Sequence, residues 1–499
     1  MRRICVALAA VAATATTLVA CGGHAVTQSA DASTAAISAA VPAGDWPEFD
    51  FNPQRSGVGP SHTGITAGNL GRLQTRVVHV DGTVDSSAVE LSGVAVRGRV
   101  RDVIVVTTTY GKTIAIDPRT GQRLWEYTPR EIGSYIGSAQ VTTASPLVDP
   151  GRLYVYAASA DGFIHKLAIA SGRQLWSTRV TFDASREKIA AALNVSGGSV
   201  VVTTGGYYGD APPYQGHVVV IDRGSGRILH VWNSLCSNRH RLIDPPRSCP
   251  ASDSAIWARA GAVIEPGSRR ILVATGNGPF NGATNWGDSV LELSADASRL
   301  LHNWTPTDQA QLNAGDADLG STAPALLPEV GGYRLAVQGG KDGHLHLLNL
   351  KSLNGTGGGA GPRLGGELED ISAPGAGQVF TAPAVWASGG SPYVFVADGS
   401  GTAAYSVRLG RRPRLVTIWH NGTAGTSPVL AGGLLYVYDP GGSVDVYRPA
   451  SGRLLRSLSA SGGHWNSPIV VGGRIVEPVG NYMDHASSGE IFIYHLPGR

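Results

Sequence analysis

The chain has 499 residues, 42% hydrophobic and 15% charged, ample for a large core in two or three ordinary domains or in one long β-rich domain. Glycine is abundant (67 residues) and methionine scarce (2), and with many valines, threonines and serines this favours strands and turns over helices. The net charge of +3 comes from scattered basic residues that no stretch combines with aromatic platforms, which excludes nucleic acid as a partner.

At the N-terminus Met1-Arg2-Arg3 supplies positive charge, VALAAVAATATTLVA a short apolar segment, and Leu18-Val19-Ala20-Cys21 closes it. Residues 1–20 read as a secretory signal, too short to cross a membrane as a helix. LVAC followed by Gly22-Gly23 resembles a bacterial lipobox, which implies a lipidated Cys21, an extracytoplasmic location and attachment to the cell membrane by lipid alone. The alternative is an ordinary cleaved signal. Residues 21–44 lack large apolar side chains apart from one Ile and a few Val and read as a flexible tether. With Cys5 in the signal and Cys21 lipidated, Cys236 and Cys249 remain and are expected to pair, closing a loop worth about 3 kcal/mol. A CxxC metal pair and a CxxCH haem motif do not occur.

From about Gly98 one phrase recurs. GRVRDVIVVTTTYGKTIAIDPRTGQRLWEY is followed by GRLYVYAASADGFIHKLAIASGRQLWS, and six further copies run to GGRIVEPVGNYMDHASSGEIFIYHL. Each is an apolar strand, a Gly-rich turn, a second strand, a turn with Asp, Gly or Ser, and a third strand often ending in Trp. Trp125, Trp176, Trp232 and Trp304 fill the same slot. One such sheet cannot bury both faces, whereas radial stacking buries them and leaves short protected edges. The expected fold is all-β, an eight-bladed β-propeller of four-stranded antiparallel blades over residues 45–499. The eighth copy stops at its third strand, and Leu73–Val80 (LQTRVVHV) is expected to supply the missing outer strand.

The phrase "YV…DG.l.AlD..TG..lW" and the opening DWPEFDFNPQRSG resemble the pyrroloquinoline-quinone (PQQ) propeller family. That family includes quinone-dependent alcohol dehydrogenases and a lipoprotein scaffold for outer-membrane protein assembly. The resemblance implies PQQ over a tryptophan, calcium held by Glu, Asn and Asp, a second Asp as base, and a basic contact to the quinone. IEPGSRRILVATGN places the metal-binding Asn at Asn277, where a capped turn is the alternative. TPTDQAQLNAGDADLGSTAP places the catalytic carboxylates at Asp316 and Asp318, on one face if that piece is extended; a solvated turn is the alternative. VQGGKDGHLHLLNL puts Lys341 at the basic contact, with a solvated turn lysine as the alternative. Trp257 lies two residues from the spacing of the stacking Trp, a shift that keeps the same strand face; a core or rim Trp is the alternative. The family's metal-binding Glu should fall in TTGGYYGDAPPYQG, where Asp210 is the only carboxylate, and the adjacent cysteine pair of several alcohol dehydrogenases is missing. His464 and His485 read as surface residues.

Two functions follow from the sequence. The one favoured here is a surface-tethered binding or scaffold propeller with a protein or small-molecule ligand on one face. The alternative is a calcium- and PQQ-dependent alcohol or sugar dehydrogenase that carries no haem of its own.

Overall fold

The computed structural model describes residues 41–498 except 210, 354–362, 389–390, 482 and 484–488. Cys21, Asp210 and His485, with the expected signal and nearly all of the tether, lie outside the described residues.

Among the described residues eight four-stranded antiparallel sheets account for the strands, with one short α-helix, Gln309–Ala314. In chain order the blades span 89–127, 147–179, 194–233, 263–304, 325–372, 384–421 and 429–459. Blade 8 combines Ile469–Val471, Arg474–Val479 and Gly489–His495 with Gln74–Val80. The closing strand runs in register from Gln74 opposite His495 to Val80 opposite Gly489, as LQTRVVHV led us to expect. Burial follows the radial stack. In blade 2 the strands Tyr154–Ala158 and Phe163–Ala168 are mostly buried on both faces, whereas the outer strand Gln174–Arg179 is mostly exposed or half-buried.

The repeated Trp and the Gly of the next blade's turn hold neighbouring blades together. Trp125 Nε1 donates to the Ile169 carbonyl at 2.7 Å, and a Cβ on Gly172 (φ +73°) would fall 2.6 Å from the Trp125 ring. Trp176 meets Gly226 (φ +76°) in the same way, with 2.7 Å to a hypothetical Cβ. Only glycine combines that backbone with that contact.

The segment 45–63 caps one end of the axis. Trp46 pairs with Glu90 of blade 1, and the N–H groups of Val148, Ile264, Val385, Leu430 and Gly473 donate to Pro47, Pro53, Ser56, Gly57 and Thr63 at 2.6–2.8 Å. Buried Arg55 fixes its course by donating to Ala260 O (3.0 Å), Leu193 O (2.7 Å) and Glu48 (3.0 Å). At Val148 and Ile264 it meets the last residue of an innermost strand, so the opposite end of the axis is left to the turns preceding those strands.

Cys236 and Cys249 are bonded, with Cα atoms 6.1 Å apart, and the loop they close buries Leu235 and Ile243 against Cys249.

Candidate functional site

Five innermost strands are entered through related sequences: TTASPLV, STAPAL, FTAPAV, GTSPVL and WNSPIV. The proline ends each turn in extended backbone, so the residue three before it is presented to the axis at a fixed height. In this register stand Thr143, Phe380 and Trp465, and the corresponding places in blades 1 and 4 hold Asp85 and Arg259. Arg259 is buried and joins blades across the axis, donating to Thr143 O (3.1 Å), Asp85 O (2.9 Å) and Trp465 O (3.2 Å). His464 stacks on Trp465 with ring centroids 4.0 Å apart, and its Nδ1 is 2.8 Å from Asp85 Oδ2, so this His belongs to the axial cluster rather than to the outer surface.

The five residues matched to the quinoprotein pattern, spread from 257 to 341 in sequence, meet beside this ring. The Asn277 N–H donates to Asp318 Oδ1 at 2.6 Å. Lys341 Nζ bridges Asp318 Oδ2 (2.5 Å) and Asp316 Oδ1 (2.8 Å) and stands 5.5 Å over the Trp257 ring. Trp257 in turn touches Phe380 (6.0 Å) and Trp465 (5.9 Å), which stack on each other at 5.2 Å. Gly276 makes the close approach feasible, since a Cβ there would fall 2.1 Å from Asp318 Oδ1.

Asp316 and Asp318 are not on an extended piece. The residues inserted after Asp308 form the helix Gln309–Ala314; Asp316 follows it at φ +50°, and Asp318 precedes a 3-10 turn, Leu319–Ser321. Both carboxylates still reach Lys341, and Gln309 of the inserted helix donates to Gly278 O at 3.0 Å, covering the TGN turn. Non-glycine residues in the left-handed region gather here: Asp253 (+86°), Ser254 (+58°), Asp288 (+47°) and Asp316. Such backbone costs of order 1–3 kcal/mol each and concentrates at functional sites. Ser254 N–H donates to Asn277 O (2.6 Å) and Asp288 N–H to Gly276 O (2.9 Å), so the turn is gripped from both flanks. The rest of the Gly- and Asn-rich loop anchors the disulfide insertion, with Cys236 N–H donating to Asn285 Oδ1 (3.0 Å) and Trp286 Nε1 to Ser237 Oγ (3.0 Å).

Burial raises the Asp318 carboxyl to about 6 against the opposing pull of Lys341. Burial, helped by the charge of Asp318, raises Asp288 to about 8, so Asp288 is largely protonated at neutral pH. Burial disfavours the Lys341 ammonium, but Asp318 and Asp316 outweigh it and hold the group above the usual lysine range.

The segment where a metal-binding Glu was expected touches a carboxylate from elsewhere. The Gln215 N–H donates to Glu187 Oε1 at 3.1 Å. Glu187 is otherwise committed to Thr181 and to His217 Nε2 (3.1 Å), while His217 Nδ1 faces Asn233 Oδ1 at 2.7 Å. Asn233 Nδ2 donates to Arg241 O (3.0 Å), which turns its oxygen toward His217, so both ring nitrogens of His217 carry protons. Burial opposes that charge, but Glu187 prevails and the His217 pKa is raised. This ion pair ties the segment before blade 3 to that blade, and Asn233, through Arg241 O, ties the disulfide loop to it.

The donors fit a hard cation and a flat anionic ring. Asn277 supplies a side-chain amide next to the backbone N–H that holds the Asp318 carboxylate, and a half-buried Trp257 face carries an ammonium above it. Among the described residues no group of three or more His, Cys, Asp or Glu side chains is arranged to hold a metal.

Residues 74–234 and 144–263 match the family described as outer membrane protein assembly factor BamB. Quinohemoprotein alcohol dehydrogenase ADH IIB of Pseudomonas putida is 24% identical over 277 residues, 50% of this chain and 38% of that protein. Quinohemoprotein alcohol dehydrogenase of Comamonas testosteroni is 25% identical over 270 residues, 48% of this chain and 36% of that protein. The solved structure of the Comamonas testosteroni enzyme superposes with a TM-score of 0.65, covering 91% of this chain and 81% of that one at 16% identity. The chain is a PQQ-type β-propeller. A europium-containing methanol dehydrogenase shares the propeller with a TM-score of 0.64 at 14% identity, covering 91% of this chain and 98% of that one. The matches span well under half the length of the curated relatives, and at these identities the structural likeness establishes the fold alone.

Phe380, Trp465, Asp85, Arg259 and Asp288 were not singled out from sequence. The shared Ser/Ala-Pro ending of the turns was the available signal for the first two. Arg259 and Asp85 become recognisable once that register is extended to blades 1 and 4.

Proposed function

We propose that this PQQ-type propeller is a quinone- and metal-dependent oxidoreductase acting on an alcohol. The reading rests on the convergence of Trp257, Asn277, Asp316, Asp318 and Lys341 at one end of the axis. The Asn277 amide oxygen and the buried Asp318 carboxylate would hold calcium or a lanthanide. Trp257 would support the ring, and Lys341 would neutralise its anionic edge. When bound, the quinone supplies the two-electron sink for the carbinol carbon. Asp316, with its side chain 60% exposed, would take the hydroxyl proton and return it to solvent. The electrons would then pass to an acceptor outside the propeller. A lipid anchor at Cys21 would place the domain outside the cytoplasmic membrane. The named relatives are alcohol and methanol dehydrogenases, and the scaffold reading favoured on sequence grounds has beside it only the description of the matched family as an assembly factor.

The test is titration of residues 41–499 with PQQ plus calcium or europium, read by calorimetry and quinone absorbance, with dye-linked alcohol oxidation beside it. Stoichiometric, metal-dependent binding lost in Asn277→Ala is the expected result. No binding at high micromolar PQQ with either metal would overturn the reading.

A further inference from the structure

Between Asp398 and Asp439 the sequence contains no Asp or Glu, yet it holds Arg408, Arg411, Arg412 and Arg414. The structure gathers these four at the tip of the outermost hairpin of blade 6, formed by Thr402–Arg408 and Arg414–Asn421. All four are exposed, and none forms an ion pair with a described residue. Arg408 and Arg414 stand opposite each other in the strand register, a like-charge pairing that costs stability in isolation. The carboxylates nearby in the fold are engaged: Glu369 accepts from the Leu415 N–H, and Glu329 is 3.1 Å from Lys351.

Aliphatic groups lie on the same hairpin: Leu409 at the tip is 45% exposed, and Ile418, further along the second strand between the partners of Tyr405 and Ala404, is 42% exposed. Beside them lies a cavity of about 370 Å³ lined by Val330, Val407, Leu409, Val416 and Ile418 together with Ser391, Ser406 and Arg408. Guanidinium groups beside a partly aliphatic groove complement a molecule with an anionic head and a hydrocarbon body.

We propose that this hairpin docks the propeller onto an anionic phospholipid surface, with the four arginines on lipid phosphates and Leu409 and Ile418 entering the acyl boundary. An acidic protein would answer the charge but leave the exposed aliphatic pair and the groove without a purpose, so the membrane is the better occupant. The proposal is independent of the quinone site.

Residues 41–499 contain all eight blades and close their own ring, so they serve as the test protein. Co-sedimentation would compare vesicles of phosphatidylcholine with vesicles containing 30% phosphatidylglycerol. Binding should require phosphatidylglycerol, weaken as salt rises, and fall about 100- to 1,000-fold when all four arginines become Gln. Leu409→Gln should weaken binding about fivefold to tenfold while keeping the salt dependence. Because the four side chains are exposed, the quadruple variant should melt no lower than the parent, which separates loss of binding from loss of fold. Equal binding to both vesicle types, or undiminished binding by the quadruple variant, would overturn the proposal. So would binding to immobilised poly-glutamate with none to vesicles, an outcome that assigns the patch to an acidic protein.

Discussion

Gly276→Ala adds one methyl group at the tightest point of the candidate site. Its Cβ would fall 2.1 Å from Asp318 Oδ1, so the carboxylate must move by more than an ångström. It has little freedom to do so, because Lys341 holds its other oxygen and the Asn277 N–H holds this one. Overpacking of this kind costs about 1–3 kcal/mol. Losing a hydrogen bond to a charged group costs about 1.5–3 kcal/mol, and the two terms overlap, so about 3 kcal/mol is expected. With an unfolding entropy near 2.1 cal/mol/K per residue, a domain of about 450 residues loses roughly 3 °C in Tm for that change. Scanning calorimetry checks the stability, and PQQ titration with calcium or europium should show loss of binding in the same variant. Gly399→Ala is the control, since its Cβ would meet nothing within 4 Å. Unchanged Tm and unchanged affinity in Gly276→Ala would refute the packing of Asp318 against the TGN turn and the site built on it.

Lys341→Met should reduce quinone affinity by at least about tenfold, since a charge-assisted contact is worth about 1.5–3 kcal/mol, with partial recovery in Lys341→Arg measured by the same titration. Gly226→Ala forces an L-residue to φ +76° against the Trp176 ring and should cost about 2–4 kcal/mol in a denaturant titration. His217 has a folded pKa raised above its unfolded value, so the stability it contributes is full below about pH 6.5 and is lost as pH rises through the folded pKa. The deficit of His217→Gln, followed by urea unfolding across pH 5.5–9, should be largest at the acidic end and shrink above it.

The propeller was legible because its repeats are long, apolar and punctuated by glycine, and even the strand that closes the ring could be located from the missing quarter of the eighth copy. The site was legible only through residues with neighbours in a known motif, such as Asn277 in ATGN and Lys341 in GGKDG. Arg259 and Asp85 lie far apart in sequence and meet only because the ring brings blades 1 and 4 to a common axis. Asp316 shows the limit in the other direction. An insertion that made an extended piece look longer folds instead into a helical turn, and the two carboxylates share a partner through a strained bend rather than through strand periodicity. The ionised state of His217 depends on which way Asn233 points, which no local pattern specifies.

The seam in blade 8 sets the order in which the molecule can be completed. Gln74 finds His495 only after nearly the entire chain is available, so the final pairing is among the most non-local contacts possible and should make ring closure slow. A chain still emerging from a ribosome or a translocon holds its closing strand without a mate, and loss of the last seven-residue strand would reopen the circle however well the other blades are formed. Integrity of the whole is thereby read out at a single join between the two ends of the domain.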